Sequence, residues 1–292
     1  MANSIQLSKI YTNLLDEVYQ NSALTAVLES DASLARQGAN ANEIVIPKLS
    51  MDGLEDYSRN SGYLIGDVTL NWETVQFNYE RGRMFSVDNM DNEETQNIAF
   101  GRLAGEFIRT KVVPELDAFR FAKYASTEGA GTATGTLASG ADVIAALRTA
   151  ISAMDEAEVP MEDRYLFITP TLLGLVEDLD TSKSKEVLSR FTTITKVPQT
   201  RFYSAIKLND GTTLGEEAGG YVKASGAVDL NFEIIHKPAV LQVTKHAVPK
   251  IISPEQNQDA DAWKYGYRNY GLCDTYENKA AGIYVHKKAS SS

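Results

Sequence analysis

A long run of alternating residues constrains the fold of this chain more than any other feature. From Val68 to Tyr79 an apolar or β-forming side chain recurs at every second position, with one change of phase. Glu43–Leu49 has the composition of a preceding strand, and the segment between them, Met51–Asp67, is polar and contains several glycines. The pattern predicts a long two-stranded hairpin. Because an isolated hairpin is only marginally stable in water, we expect it to lie against another chain.

Two local features of this hairpin follow from single residues. The alternation changes phase between Thr74 and Val75, which predicts a bulge or a twist at that point. A turn is predicted at 80–82, before a further extended run at Met84–Val87.

The tip of the hairpin carries Tyr57, Arg59 and Tyr63. Aromatic and guanidinium groups contribute most of the binding energy at protein interfaces, so we expect these three side chains to contact a neighbouring subunit. The alternative is a loop tip that only holds itself together.

Two helical regions flank the hairpin. Ser4–Leu28 has apolar residues at helical spacing and predicts an amphipathic helix or helix pair, packed on its own domain or on a partner. After the hairpin, Asp91 or Asn92 can cap a helix that continues to about Ser126. Pro114 interrupts this run and predicts a kink or break just before it.

The middle of the chain changes character at a glycine-rich segment, Glu128–Gly140, which is predicted to be a linker and a domain boundary. Beyond it we expect a helix capped by Ser139 or Asp142, a short buried strand at Tyr165–Ile168 and a helix at Pro170–Leu179. This alternation indicates a compact α/β subdomain.

The last part of the chain is predicted to be mostly extended. Leu208–Gly226 is interpreted as an exposed loop, and Asn257–Ala262 as a polar hairpin tip. Strands are expected at Phe232–Ile235, Val240–Thr244, Lys250–Ile252, Trp263–Tyr270 and Gly282–His286.

Composition excludes several classes of protein. The net charge is −11, so the overall field repels nucleic acid and argues against sequence-specific DNA binding. The same charge is compatible with a container for DNA, or simply with solubility. The single cysteine, Cys273, has no intrachain disulfide partner, which fits a reducing cytosol. No apolar stretch is long enough for a membrane helix.

Several short patterns resemble catalytic or ligand-binding motifs, but each lacks the neighbouring residues or the structural context that such a site requires. The three histidines lack ligand neighbours at metal-site spacing. Gly129–Gly135 follows a predicted helix where a dinucleotide loop would follow a strand. Ser182-x-x-Lys185 lacks the companion motifs of a β-lactamase-type site. We therefore expect no active site, no cofactor and no metal.

Several stretches, in this order, carry a resemblance to a known family. They are Gly53–Tyr63 (GLEDYSRNSGY), Gly66–Trp72 (GDVTLNW), Arg81–Thr95 (RGRMFSVDNMDNEET), Val113–Ala125 (VPELDAFRFAKYA), Asp155–Pro160 with Arg164–Pro170, Val197–Phe202 (VPQTRF), Ser253–Tyr270 (SPEQNQDADAWKYGYRNY) and Lys279–Val285 (KAAGIYV). Together they resemble the major capsid proteins of tailed bacteriophages, which share the Hong Kong 97 type capsid fold with encapsulin shells. The resemblance covers nearly the whole chain.

The resemblance implies an α+β fold with a set order of parts. These are an N-terminal arm at 1–42, an extended β-hairpin or E-loop at 43–88, a peripheral domain with a long spine helix at 89–138, an axial domain at 139–235, and a return to the peripheral domain at 236–292 with a three-fold-contact loop at 248–262. Within these parts it adds further candidates for inter-subunit contact: Trp72, Arg81, Arg83, Pro254, Asp259 and Trp263.

The implied function is that of a structural subunit of an icosahedral phage head. Such subunits self-assemble as pentamers and hexamers and enclose double-stranded DNA without reading its sequence, inside a host bacterial cytoplasm. The implied partners are copies of the chain, a separate scaffolding protein, a portal and decoration proteins, with no membrane. The alternatives are an encapsulin-like bacterial compartment, a phage tail protein, and an α/β enzyme built on residues 139–235.

One departure from some relatives concerns covalent cross-linking by a lysine on the E-loop. The tip, Met51–Asp67, contains no lysine, and the nearest is Lys48 at its base. We therefore expect no cross-links between subunits. No long extension precedes the arm in this sequence, so we also expect a separate scaffolding protein, or a scaffolding segment that precedes this sequence and is removed.

Overall fold

The computed structural model describes residues 23–30, 36–37, 42–57, 59–60, 62–63, 65–94, 98–179 and 181–289. Most of the helix or helix pair predicted at Ser4–Leu28 lies outside these residues. Its described end, Leu24–Leu28, is a 3₁₀ helix.

The described residues form strands and helices in a mixed order. The strands are β1 (Arg36–Gln37), β2 (Glu43–Met51), β3 (Val68–Gln76), β4 (Tyr79–Asp88), β5 (Gly131–Gly135), β6 (Arg164–Ile168), β7 (Thr193–Lys196), β8 (Ile206–Leu208), β9 (Tyr221–Lys223), β10 (Leu230–His236), β11 (Val240–Ile252), β12 (Ala262–Thr275) and β13 (Ile283–Lys288). The α-helices are α1 (Asn89–Glu94), α2 (Ile98–Phe107), α3 (Val113–Ala125), α4 (Gly140–Glu156), α5 (Pro170–Glu177) and α6 (Ser182–Leu188). Short 3₁₀ turns occur at Gln199–Arg201, Lys237–Ala239, Pro254–Gln256 and Glu277–Gly282.

The hairpin predicted from the alternating pattern is present as β2 and β3. The strands pair antiparallel in one unbroken register, from Glu43 opposite Gln76 to Met51 opposite Val68. The predicted bulge between Thr74 and Val75 is therefore wrong. The apolar pattern changes phase because different faces of the same regular ribbon are apolar near the base and near the tip.

The turn predicted at 80–82 is also wrong, because these residues lie inside β4. Instead of returning along the hairpin, β4 pairs antiparallel with β12, which pairs in turn with β11. A Cβ added at Gly82 would lie 2.9 Å from the carbonyl oxygen of Tyr267, so glycine here permits close strand contact. The two strands predicted at Val240–Thr244 and Lys250–Ile252 are parts of the single strand β11.

The long helix after the hairpin is built from several segments. Helix α1 begins before the predicted caps, and Asp88 Oδ1 accepts the Met90 N–H at 2.9 Å, so neither Asp91 nor Asn92 is the cap. Between α2 and α3 the helix widens to a π-helical turn at Ile108–Val112, with helical dihedral angles at both ends. The irregularity predicted from Pro114 is thus a π turn within a continuous helix, since proline lacks the N–H for the regular ladder.

A five-stranded sheet, in the order β5-β13-β10-β6-β7, forms the centre of the molecule. Its strand β5 corrects the prediction of a linker at Glu128–Gly140. A Cβ on Gly131 would lie 2.5 Å from a ring carbon of Tyr284, so this glycine allows two strands to approach, where flexibility had been expected. The sheet also contains β13, which pairs with β10 and β5. Strand β13 belongs to residues 236–292, the region predicted from the sequence to belong to the peripheral domain.

The central sheet is covered on both faces. Helices α4 and α5 pack on one face around Leu147, Ile151, Leu166 and Phe232. Helix α4 begins with Ser139 as its cap, in a capping box completed by Asp142.

Helix α3 packs on the other face, and Leu28 of the N-terminal segment joins that core. The loop predicted at Leu208–Gly226 is wrong in part, because it contains strand β9, which pairs antiparallel with β8.

Candidate subunit-contact surfaces

The hairpin β2–β3 has two chemically different faces near its tip. Residues directly opposite each other in an antiparallel pair project from the same face. One face, called the outer face, carries six apolar side chains: Pro47, Leu49, Met51, Val68, Leu70 and Trp72. The opposite face carries Lys48, Ser50, Thr69 and Asn71 at the same level. The hairpin is therefore amphipathic, and its outer face is the apolar one.

The base of the hairpin rests on the rest of the chain through the other face. Ile44 and Ile46 are buried against Leu241 and Leu272, with Val75 packed beside them. This attachment leaves the outer face turned away from the chain's own core. Leu49, Met51, Val68, Leu70 and Trp72 are each between 50% and 69% exposed.

The tip of the hairpin exposes further apolar groups. The Tyr57 and Tyr63 rings pack at a tilt with centroids 4.8 Å apart, and Arg59 is exposed. Leu54 and Ile65 are almost fully exposed. The structure thus brings two of the predicted contact residues together and leaves the third accessible.

Exposed apolar surface is concentrated in this hairpin. Of the eighteen large apolar side chains exposed among the described residues, nine lie between Leu49 and Trp72. Monomeric proteins rarely expose contiguous apolar patches larger than about a few hundred Å², and larger patches mark interaction sites. The hairpin is therefore the strongest candidate for a contact with another chain.

Two other predicted contact residues, Arg81 and Arg83, bind within the chain. Arg81 Nε donates to Glu115 Oε1 at 2.7 Å, and its Nη2 lies 3.3 Å from the carbonyl oxygen of Gly220. Arg83, which is exposed, donates to the carbonyl oxygen of Glu217 at 3.1 Å. Both side chains fasten the loop after β8 to strand β4, and their role between subunits stays a prediction.

The loop between β11 and β12 holds the remaining candidates. Pro254 opens a 3₁₀ turn and is half-buried, and Trp263 lies in β12 opposite Val87. Asp259 is exposed and accepts a hydrogen bond from Lys264 Nζ at 2.5 Å, which lowers the pKa of Asp259. These residues lie at one end of the β11–β12–β4 sheet.

Lys48, the lysine nearest to the tip, is engaged with the body of the chain. Its Nζ lies 2.8 Å from Glu277 Oε2, and the hydrogen bond to that carboxylate raises the pKa of Lys48. The amine is therefore held at the base of the hairpin, on the face opposite the outer face.

A buried polar cluster, which sequence reasoning missed, lies beneath α3. Asp117 is fully buried and accepts hydrogen bonds from Leu24 N, Thr25 N, Thr25 Oγ1 and Arg201 Nη1. Arg120 donates to Thr25 Oγ1 at 3.0 Å. We call these five residues the arm junction. The sequence signal was the presence of charged residues within the apolar run Val113–Ala125.

The described residues contain no group of three or more potential metal ligands. His236 and His286 are buried, which lowers the pKa of each, and His286 Nδ1 lies 2.9 Å from Asn231 Nδ2. Within the described part of the chain, no helix is long and apolar enough to cross a lipid bilayer.

Comparison with known proteins identifies the fold. No model of a protein family matches the chain, and no curated protein matches it. Solved structures do match. The capsid structure of the cyanophage P-SCSP1u is 14% identical, with a TM-score of 0.63 over 97% of this chain and 93% of the other. The mature capsid of bacteriophage PhiM1 is 12% identical, with a TM-score of 0.63 over 99% and 93%.

A further match is a virus-like particle from Pyrococcus furiosus, which is 12% identical with a TM-score of 0.55 over 90% of this chain and 96% of the other. These likenesses extend over almost the full length of each protein. The chain therefore has the α+β fold of tailed-phage capsid proteins, the Hong Kong 97 type, and the fold expected from the sequence is confirmed.

Proposed function

We propose that this chain is the structural subunit of an icosahedral tailed-phage capsid, which self-assembles as pentamers and hexamers around double-stranded DNA. The observation that carries the proposal is the outer face of the hairpin, an apolar surface that the chain's own core leaves uncovered in a fold shared with phage capsids. In this role the chain is not an enzyme and uses no cofactor. Its place is the virion capsid, after assembly in the host bacterial cytoplasm.

The energetics of the outer face suit a shell. Burying the exposed half of one large apolar side chain contributes about 1 kcal/mol. Each hairpin then adds only several kcal/mol, so a misplaced subunit can dissociate and rebind. A closed shell repeats the contact in every subunit, and the weak contacts act together.

The charge of the chain suits the proposed contents. A wall with a net charge of −11 per subunit does not hold DNA tightly, so packing and release meet little adhesion. The proposed partners are copies of this chain, a scaffolding protein, a portal and decoration proteins.

The division into parts stands as part of this proposal. The arm is 1–42, the E-loop 43–88, the peripheral domain with the spine helix 89–138, the axial domain 139–235 and the return 236–292, with the three-fold-contact loop at 248–262. We propose that Tyr57, Arg59, Tyr63 and Trp72 contact a neighbour across the hairpin. In the same scheme Arg81, Arg83, Pro254, Asp259 and Trp263 lie at contacts of the peripheral domain.

Electron microscopy and nucleic-acid analysis of purified particles test the proposal. We expect closed icosahedral shells with pentameric and hexameric units that contain long double-stranded DNA. Tubes or rings would favour a tail protein and would contradict it.

The alternative is an encapsulin-like compartment, favoured by the likeness to the virus-like particle from Pyrococcus furiosus. Icosahedral shells filled with a protein cargo and free of DNA would support that alternative.

We also propose that mature shells carry no covalent cross-links, because Lys48 is the lysine nearest to the tip and lies in an ion pair at the base. Mature particles run on a denaturing, reducing gel should give a single subunit band. A ladder of multimers would contradict this.

A further inference from the structure

The arm junction joins three parts of the chain that are distant in sequence. Leu24 and Thr25 come from the N-terminal segment, Asp117 from α3, and Arg201 from the 3₁₀ turn at Gln199–Arg201. Thr25 and Asp117 are fully buried and Arg201 is 1% exposed. Charged groups at this depth depend on one another, because none of them is solvated by bulk water.

The carboxylate of Asp117 divides its donors between its two oxygens. Oδ1 accepts from Thr25 N at 3.2 Å and from Thr25 Oγ1 at 2.8 Å. Oδ2 accepts from Leu24 N at 3.1 Å and from Arg201 Nη1 at 3.0 Å. The position of one small group is thus set by the N-terminal segment and by Arg201 together.

The turn around Arg201 connects to the central sheet. Ser204 N donates to the carbonyl oxygen of Val228 at 2.9 Å, and Leu230 N donates to that of Phe202 at 3.1 Å. The Phe202 ring also packs against Phe121 of α3 at 5.1 Å. A shift of Arg201 therefore reaches the start of β10 through backbone hydrogen bonds.

We propose that docking of Leu24 and Thr25 on Asp117 and seating of the turn at 198–204 form one coupled unit. Binding of another molecule that separates Leu24 and Thr25 from Asp117 destabilises the turn at 198–204. Binding that displaces this turn likewise destabilises the docking of Leu24 and Thr25. The coupling is reciprocal because both parts share the same carboxylate. It is independent of the proposed shell function, since it acts within one chain.

A second attachment of the same segment offers an internal control. Ser30 Oγ donates to the carbonyl oxygen of Val240 at 3.1 Å and accepts from Gln242 N at 3.0 Å. These bonds hold the segment to β11 without touching Asp117. Gln242 Nε2 also donates to the Thr25 carbonyl oxygen at 2.9 Å. Loss of the Ser30 hydroxyl nevertheless leaves that bond and all four donors on Asp117 in place.

Hydrogen exchange on the full-length chain tests the coupling, with all variants in the same oligomeric state. Thr25→Val removes the hydroxyl on Asp117, and we expect exchange at Phe202, Ser204 and Leu230 to accelerate by about tenfold or more. The matched control Ser30→Ala should change exchange at these amides by less than about twofold. Amides of α4 report global unfolding and serve as the reference.

The reciprocal variant keeps the test decisive if Thr25→Val does not fold. Arg201→Lys retains the charge but loses the guanidinium geometry, and it should accelerate exchange at Leu24 and Thr25. The proposal is overturned if neither variant affects the opposite part of the junction relative to α4. It is equally overturned if Ser30→Ala accelerates the 198–204 turn as much as Thr25→Val does.

Discussion

The hairpin β2–β3 places leucine, methionine and tryptophan side chains in solvent, whereas the arm junction places a carboxylate and two guanidinium groups in the interior. Leu70 is 52% exposed, while Asp117 is fully buried. Both placements oppose the usual distribution of side chains, but for different reasons. Exposed apolar groups gain only when another molecule covers them. Buried charges are tolerated only when donors and acceptors within the chain match.

This contrast separates two kinds of stability. The arm junction contributes to the folding of one subunit, and its loss should be visible in an isolated chain. The outer face contributes almost nothing to that folding, and its loss should be visible only where chains meet. Substitutions at Asp117, Leu28 and Leu70 each measure one side of this comparison.

The largest effect is expected at Asp117. Asp117→Ala leaves Arg201 buried without its carboxylate, which should lower the free energy of unfolding by about 3–5 kcal/mol. Chemical denaturation of the purified chain measures this change. Asp259→Ala, which breaks the exposed ion pair with Lys264, is the control and should leave the unfolding curve nearly unchanged. Equal effects of the two substitutions would remove the distinction between the junction and the surface.

The same substitution in the two regions sharpens the contrast. Leu28 is fully buried in the core beneath α3, so Leu28→Ala should cost about 2–5 kcal/mol of unfolding free energy. Leu70→Ala on the outer face should cost less than about 1 kcal/mol in the unassembled chain. Denaturation at a concentration below assembly compares the two variants. A similar loss for both would mean that the outer face is already covered by the chain itself.

An effect that depends on pH is expected at Glu233, which is fully buried in β10. Among the described residues neither carboxylate oxygen of Glu233 has a hydrogen-bond partner, and burial raises its pKa well above the ordinary 4.5. The folded chain therefore keeps this proton while the unfolded chain releases it. As pH rises above the unfolded pKa, the free energy of unfolding falls by about 1.4 kcal/mol per pH unit, until the folded pKa is reached.

Glu233→Gln removes this titration and should flatten the pH dependence. The variant should gain stability relative to the wild type as pH rises above the ordinary carboxyl pKa of 4.5, by up to about 1.4 kcal/mol per pH unit until the folded pKa is reached. Unfolding curves at several pH values provide the measurement. Parallel curves for the two proteins would show that Glu233 is ionised in the folded chain.

The smallest effect is expected in α5, away from both regions. An added Cβ at Gly174 meets no atom within 4 Å, so Gly174→Ala should stabilise the chain by up to about 1 kcal/mol. Gly140→Ala is the matched contrast, because its Cβ would lie 2.1 Å from the carbonyl oxygen of Leu175 and should destabilise the chain. Thermal melting of both variants checks the signs.

The sequence predicted those elements of the fold that are determined by residues close together in the chain. The hairpin, helix α4 with its Ser139 cap and the strand β6 follow from alternation, capping and a short apolar run. The prediction of a turn at 80–82 was wrong because β4 pairs with β12. Strand β12 is distant in sequence, and the residues of β4 contain no pattern that indicates this pairing. Glycine is common both in flexible linkers and where two strands approach closely. The glycines of the segment with Gly131 therefore predict a linker, whereas in the structure Gly131 allows close approach to Tyr284.

The candidate surfaces were predicted to a different extent from the junction. Tyr57, Tyr63 and Trp72 are exposed on the hairpin, and their role between subunits stays a prediction. The pairing of Asp117 with Arg201 spans 84 residues and depends on the tertiary packing of α3. No local pattern contains that information.

Sedimentation of two charge variants on opposite faces of β3 tests the central claim most directly. Leu70→Asp places a carboxylate on the outer face, and Thr69→Asp places one on the opposite face of the same strand. Under conditions in which the wild-type chain forms shells, we predict that the Thr69→Asp chain still assembles. The Leu70→Asp chain should remain unassembled with an unchanged unfolding curve. Shell formation by Leu70→Asp at the wild-type level would contradict the account.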